Sequence, residues 1–186
     1  MLILPSFSGG RYGYGYGMMG GRQWADNPMQ SGIDRHFIEQ MIPHHEGAIA
    51  MAELALEKSN RPEIKALAQN IVVAQEAENK QMTGWYAEWF GSHPAKGNIG
   101  MMGGGMMSSG GMHMGGQEDM LALESAADFD KAFIEQMIPH HQLAIMMAQM
   151  LKVSTARSEM LNLAENIIDS QTAEIEQMQG WYKAWY

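Results

Sequence analysis

Residues Phe37 to Glu46 read Phe-Ile-Glu-Gln-Met-Ile-Pro-His-His-Glu, and residues Phe133 to Gln142 repeat the run with Glu46 replaced by Gln142. The offset of 96 residues between Phe37 and Phe133 holds on either side of the run. Asp34 matches Asp130, Met51 matches Met147 and Asn70 matches Asn166. Gln75, Glu78, Met82, Trp85 and Trp89 match Gln171, Glu174, Met178, Trp181 and Trp185. The chain is an internal duplication. Each copy carries an adjacent histidine pair with a methionine three and four residues before it, which is a metal-ligand constellation.

Outward from the run, Phe37, Met41, His44, Ala48, Met51 and Ala55 recur at helical spacing. A Ser31/Asp34 capping box predicts the start of this first helix, and its end falls near Ser59. Asn60 with Glu63 forms the next capping box, and Pro62 sits where its missing N–H does no harm. The second helix then runs to about Trp89, with Ile64, Leu67, Ile71, Gln75, Glu78, Met82, Trp85 and Trp89 as its buried stripe. The second copy repeats the pattern. A third helix is predicted from about Ala127 to Lys152, capped by Ser125 with Asp128, and a fourth from about Thr155 to Tyr186. Pro43 and Pro139 fall inside the helical patterns, where proline costs roughly 3 kcal/mol. Either the helix kinks at each histidine pair, or it begins at Pro43 with residues 34–42 as a separate turn.

Two hairpins with four apolar stripes predict an all-α fold, a four-helix bundle. Residues 1–30 are a Gly/Tyr/Met-rich tail too poor in apolar mass to order itself. Residues 31–186 are expected as one bundle domain, made of hairpin 31–90, a flexible Gly/Met-rich linker 91–124 and hairpin 125–186. A net charge of −9 argues against nucleic acid as a partner. No apolar run approaches a membrane span, and Leu2-Ile3-Leu4 is too short for a signal-peptide core. The chain has 20 methionines and no cysteine, so soft ligands are supplied without thiols, which suits an oxidising compartment.

Met41 lies beside both His44 and His45, and Met51 lies two turns beyond His44 on the same side. Met82 reaches the same region if the hairpin is antiparallel. The same reasoning groups Met137, His140, His141, Met147 and Met178. Thioether plus imidazole favours Cu(I), with Ag(I) as a chemical substitute, over Mg, Ca or Mn. Gln75 and Glu78 interrupt an apolar face and need partners, so one histidine of each pair is free to donate to them or to Gln171 and Glu174. Met101, Met102, Met106, Met107, Met112, His113 and Met114 in the linker, and His36 before the first pair, are accessory ligand candidates. A di-iron bundle needs a Glu-x-x-His motif, which does not occur here. Zinc remains open at the histidines but gains nothing from the methionines. Histidine-based sites are expected to weaken below about pH 6, where imidazole takes up its proton.

The duplicated Met-Ile-Pro-His-His, the trailing Met51-Ala52 and Met147-Ala148, and the Gln-x-x-Glu-x-x-x-Met-x-x-Trp runs resemble the CopM-type family. The resemblance covers residues 33–90 and 129–186. It implies a ferritin-like four-helix domain in a periplasmic or secreted protein that sequesters Cu(I) for copper resistance. It also implies Met41, His44, His45, Met51, Met82 and their repeat mates as ligands. A copper exporter or sensor protein is the expected partner besides copper ions. The alternatives are a copper-dependent oxidoreductase of the cuprous oxidase kind and a zinc-binding bundle. No catalytic constellation stands out in the sequence.

Overall fold

The apolar spacing of the first copy becomes α1 (Pro28–Lys58) and α2 (Pro62–Phe90), and that of the second becomes α4 (Phe129–Lys152) and α5 (Ser158–Trp185). A short α3 (Gln117–Glu124) precedes the second copy. The structure, a computed structural model, describes residues 28–94 and 117–186, and no strand occurs among them. Of the tail expected over residues 1–30, residues 28–30 instead begin α1, while residues 1–27 and the Met-rich stretch 95–116 lie outside the described residues. Within residues 91–124, expected to be a flexible linker, 117–124 instead form α3, which anchors itself by burying Leu123 in the core.

Both prolines sit inside unbroken helices, Pro43 in α1 and Pro139 in α4, so no separate turn precedes the histidine pairs. The turn chemistry differs from the expected capping boxes. The N-cap of α2 is Arg61, which makes no side-chain cap bond, and Pro62 follows it at the start of the helix. The turn is held one step earlier, where the Ser59 hydroxyl oxygen accepts a hydrogen bond from the Arg61 amide at 3.1 Å. Thr155 does the same for the Arg157 amide at 3.1 Å before α5. A hydroxyl that satisfies a backbone amide two residues on is an ST turn, and it leaves Asn60 free of capping duty. At α4 the cap is Asp128 itself, accepting from the Lys131 amide at 3.0 Å. Ser125 donates back to the Leu121 carbonyl and closes α3.

Two cores form, and each takes half of each hairpin. One unites Met51, Ala52, Ile64 and Ile71 with Phe133, Ile134, Met137 and Met178. The other unites Phe37, Ile38, Met41 and Met82 with Ala148, Met160 and Ile167, with Met147 packed against it. Each residue of the first group has its repeat mate in the second, so the two cores are related by a pseudo-twofold axis. The first half of α1 packs with the second half of α4, which makes the two helices antiparallel where they cross. Of the expected aromatic stripe, Trp85, Trp89, Trp181 and Trp185 are only partly buried; they stack in pairs at 5.6 and 5.5 Å. Tyr86 takes the fully buried place in α2.

An arginine from each hairpin turn reaches to the other hairpin. Arg157 pairs with Asp34 at 3.1 Å and lies 4.1 Å over the Trp89 ring. Arg61 pairs with Asp130 at 3.4 Å and lies 3.9 Å over the Trp185 ring. Asp34 is fully buried, and burial pushes its carboxyl above the usual carboxylate range while Thr155 and Arg157 pull it back.

Candidate metal centre

Between the two cores lies a layer of imidazoles. Helical spacing sends His44 and His45 to different sides of α1, with ring centroids 6.5 Å apart; His140 and His141 stand 6.4 Å apart on α4. His44 and His140 meet across the α1–α4 crossing with ring centroids 3.8 Å apart. They are repeat mates, so the pseudo-twofold axis passes between them. The sequence placed one ligand group in each hairpin; the structure merges both histidine pairs into one layer.

The second histidine of each pair is held from behind. His45 Nε2 lies 2.7 Å from Glu78 Oε2, and His141 Nε2 lies 2.6 Å from Glu174 Oε2. A carboxylate can only accept, so Nε2 of each ring donates to it and Nδ1 is turned away from the carboxylate. That Nδ1 is buried without a hydrogen-bond partner in both rings. Both nitrogens of His44 and both of His140 are likewise buried and unpartnered. Unpartnered buried polar atoms are uncommon because each costs free energy. Here they gather in one layer. Gln75 and Gln171 are buried as the stripe predicted, each with an unpartnered Oε1.

Burial lowers His44 from 6.5 to about 3, helped by His45 and His141 nearby. It lowers His140 from 6.5 to about 2, helped by His44, His141 and His45. At neutral pH both rings are uncharged and present lone pairs, as a metal ligand must.

Thioethers flank the layer. Met41, Met82, Met137 and Met178 are fully buried, Met51 nearly so, and Met147 partly. Their grouping departs from the sequence expectation. Met51 joins Met137 and Met178 of the other hairpin, while Met147 joins Met41 and Met82. The reason is the antiparallel crossing, which sets the far half of one helix against the near half of the other. Among the described residues no group of three or more His, Asp or Glu donors is arranged to hold a metal. His36 is exposed on α1 and joins neither core. Met101, Met102, Met106, Met107, Met112, His113 and Met114 lie outside the described residues. The cross-hairpin arginines, Arg61 and Arg157, were missed by sequence reading, although they too stand at the repeat offset. The unpartnered nitrogens and the soft sulfurs around them fit a soft monovalent ion better than a hard one.

The model of the family described as domain of unknown function DUF305 matches residues 34–182. CopM in the Cu(I)-bound form is 46% identical, with a TM-score of 0.68 over 82% of this chain and 97% of that one. CopM in the Ag-bound form obtained by soaking is 46% identical, with a TM-score of 0.70 over 82% and 96%. A DUF305 fragment from Deinococcus radiodurans is 26% identical, with a TM-score of 0.67 over 82% and 97%. The uncharacterized protein L153 of Acanthamoeba polyphaga mimivirus is 37% identical over 49 residues, 26% of this chain and 32% of that protein. The match thus spans about a third of that relative's length. The duplicated hairpins, the histidine layer and the match across both halves lead to one assignment: the chain belongs to the DUF305 family and is of the CopM type.

Proposed function

We propose that the protein binds and sequesters Cu(I) in the interior of the bundle, as part of copper resistance or homeostasis outside the cytoplasm. The observation that carries this reading is the layer of buried, unpartnered imidazole nitrogens contributed by both hairpins and flanked by buried thioethers. His44, His140 and the Nδ1 atoms of His45 and His141 supply nitrogen. Met41, Met82 and Met147 on one side, and Met51, Met137 and Met178 on the other, supply sulfur. Glu78 and Glu174 hold the orientation of the outer rings. CopM has been solved with Cu(I), Cu(II) and Ag, which supports copper as the metal here. The Met-rich stretch 95–116 and His36 act as weaker accessory ligands to one bundle domain. A copper exporter or sensor protein is the proposed recipient.

No described helix is long and apolar enough to cross a membrane. The absence of cysteine in a chain built for soft metals favours an oxidising compartment. We read the protein as a binding module; oxygen consumption during Cu(I) loading is the outcome that would instead make it an oxidase.

The test is an anaerobic Cu(I) titration against a competing chelator, with helicity followed by circular dichroism. Changing His44, His45, His140 and His141 to Ala is expected to remove the tightest sites while the helices remain. Unchanged tight stoichiometry in a folded variant overturns the reading.

A further inference from the structure

The two halves share one plan, so positions where they differ carry information that the plan does not. Ala50, Met51 and Leu54 on α1 correspond to Met146, Met147 and Met150 on α4. On α1 this face is closed, with Met51 at 1% exposure and Ala50 and Leu54 partly buried. On α4 it is open, with Met146 at 46% exposure and Met150 at 64%. Met147 stands between surface and interior, partly buried and packed against the core that holds Met41 and Met82.

Met146 and Met150 are one helical turn apart and therefore neighbours on the surface, and Met147 lies three residues before Met150 on the adjoining row. Neither exposed side chain is needed to fill the core. Among the described residues, thioethers thus run from solvent toward the buried methionines on α4 and not on the matching face of α1.

We infer that Met146, Met150 and Met147 form the way in for a soft monovalent cation, Cu(I) or Ag(I). The ion passes from the exposed pair to Met147, then to Met41 and Met82, and comes to rest at the histidine layer. Each step between methionines exchanges one thioether for another, and the last exchanges thioether for imidazole nitrogen, with no change of oxidation state. The counterpart face of α1 offers no exposed thioether, so loading is one-sided although the interior is nearly symmetric. This inference rests on the proposed metal binding, and the two fail in different ways.

The experiment uses metal-free full chain and Ag(I) as probe. Methyl-methionine and imidazole NMR signals are followed through a titration, and loading rates through tryptophan fluorescence in stopped flow. In the unaltered protein the Met146 and Met150 methyl signals are expected to move before those of Met41 and Met82. In the Met146→Leu/Met150→Leu variant, chelator competition should give the same affinity for the histidine layer, while loading slows roughly tenfold or more. A variant that loads at the original rate overturns the path and leaves the binding reading intact. A variant that loses affinity at the histidine layer also overturns it, because the two methionines then belong to the resting site. Imidazole signals that never respond to Ag(I) in the unaltered protein overturn the binding reading itself.

Discussion

His44 and His140 are bases kept from their proton. Each has an ordinary value of 6.5 in the unfolded chain and a folded value near 3 and 2 respectively, because burial and neighbouring rings penalise the charged form. Between those values the unfolded chain binds more protons than the folded one, so stability rises with pH. The contribution is fully present above about pH 6.5 and is lost as pH falls below it. The expected loss in the metal-free protein is about 1.4 kcal/mol per pH unit for each ring. Asp34 works the other way but only in the carboxylate range, since burial raises its pKa from 3.8. Urea unfolding at pH 7 and pH 5 checks this, and the His44→Gln/His140→Gln variant should show a much smaller difference between the two. The same shifts set His44 and His140 apart from the expectation that histidine-based sites weaken below about pH 6, because their nitrogens stay unprotonated well below that. Sequence reading singled out all four histidines as candidates, and Glu78 and Glu174 as partners for one histidine of each pair. It missed the meeting of His44 with His140, because a 96-residue offset shows which positions correspond and not whether they touch.

Helix periodicity located the four long helices to within a few residues, since Ile, Met and Ala recur on one face of each. The turns were less legible. Asn60 and Ser125 are good caps by type, but α2 has no side-chain cap, Ser59 instead holding the Arg61 amide in the turn before it, and Asp128 alone caps α4. Helix α3 escaped notice because its eight residues follow Gly-rich sequence and bury Leu123 alone among fully enclosed side chains. The arginine latches give a comparison between elements. Arg157 covers Asp34, whose side chain is 1% exposed, whereas Arg61 covers Asp130 at 15%. Removing Arg157 leaves a carboxylate enclosed without its cation, and Arg157→Ala is expected to cost about 2–3 kcal/mol. Arg61→Ala leaves a carboxylate that water can reach and should cost under about 1 kcal/mol beyond its ring contact. Chemical denaturation of both variants tests the ordering; equal losses would show that the ring stacking, not the ion pair, holds the hairpins.

At the scale of the molecule, the proposed centre draws its ligands from both hairpins, so an ion bound there would oppose their separation. An ion that binds only the folded chain adds about 2.7 kcal/mol at a hundredfold excess over Kd. Ag(I) under those conditions should raise Tm by roughly 5–10 °C for a chain of this size. The variant with all four histidines changed to Ala should show little of that rise in thermal circular dichroism. The bundle itself was readable from four amphipathic stripes, yet the exchange of Met51 and Met147 between hairpins was not. It depends on the angle and direction at which α1 meets α4, and no local pattern encodes either.

The face that α1 turns to α4 has the character of an isologous interface, in which a surface meets its own image. Two separate copies of one hairpin could in principle build it as a homodimer, with each imidazole of the central pair facing itself. A homodimer, however, must repeat every substitution on both sides. Covalent fusion removes that obligation. Glu46 can stand against Gln142, His36 against Ala132 and Leu54 against Met150 without changing the shared interior. The joined chain keeps the economy of a symmetric container while its two outer walls are free to specialise.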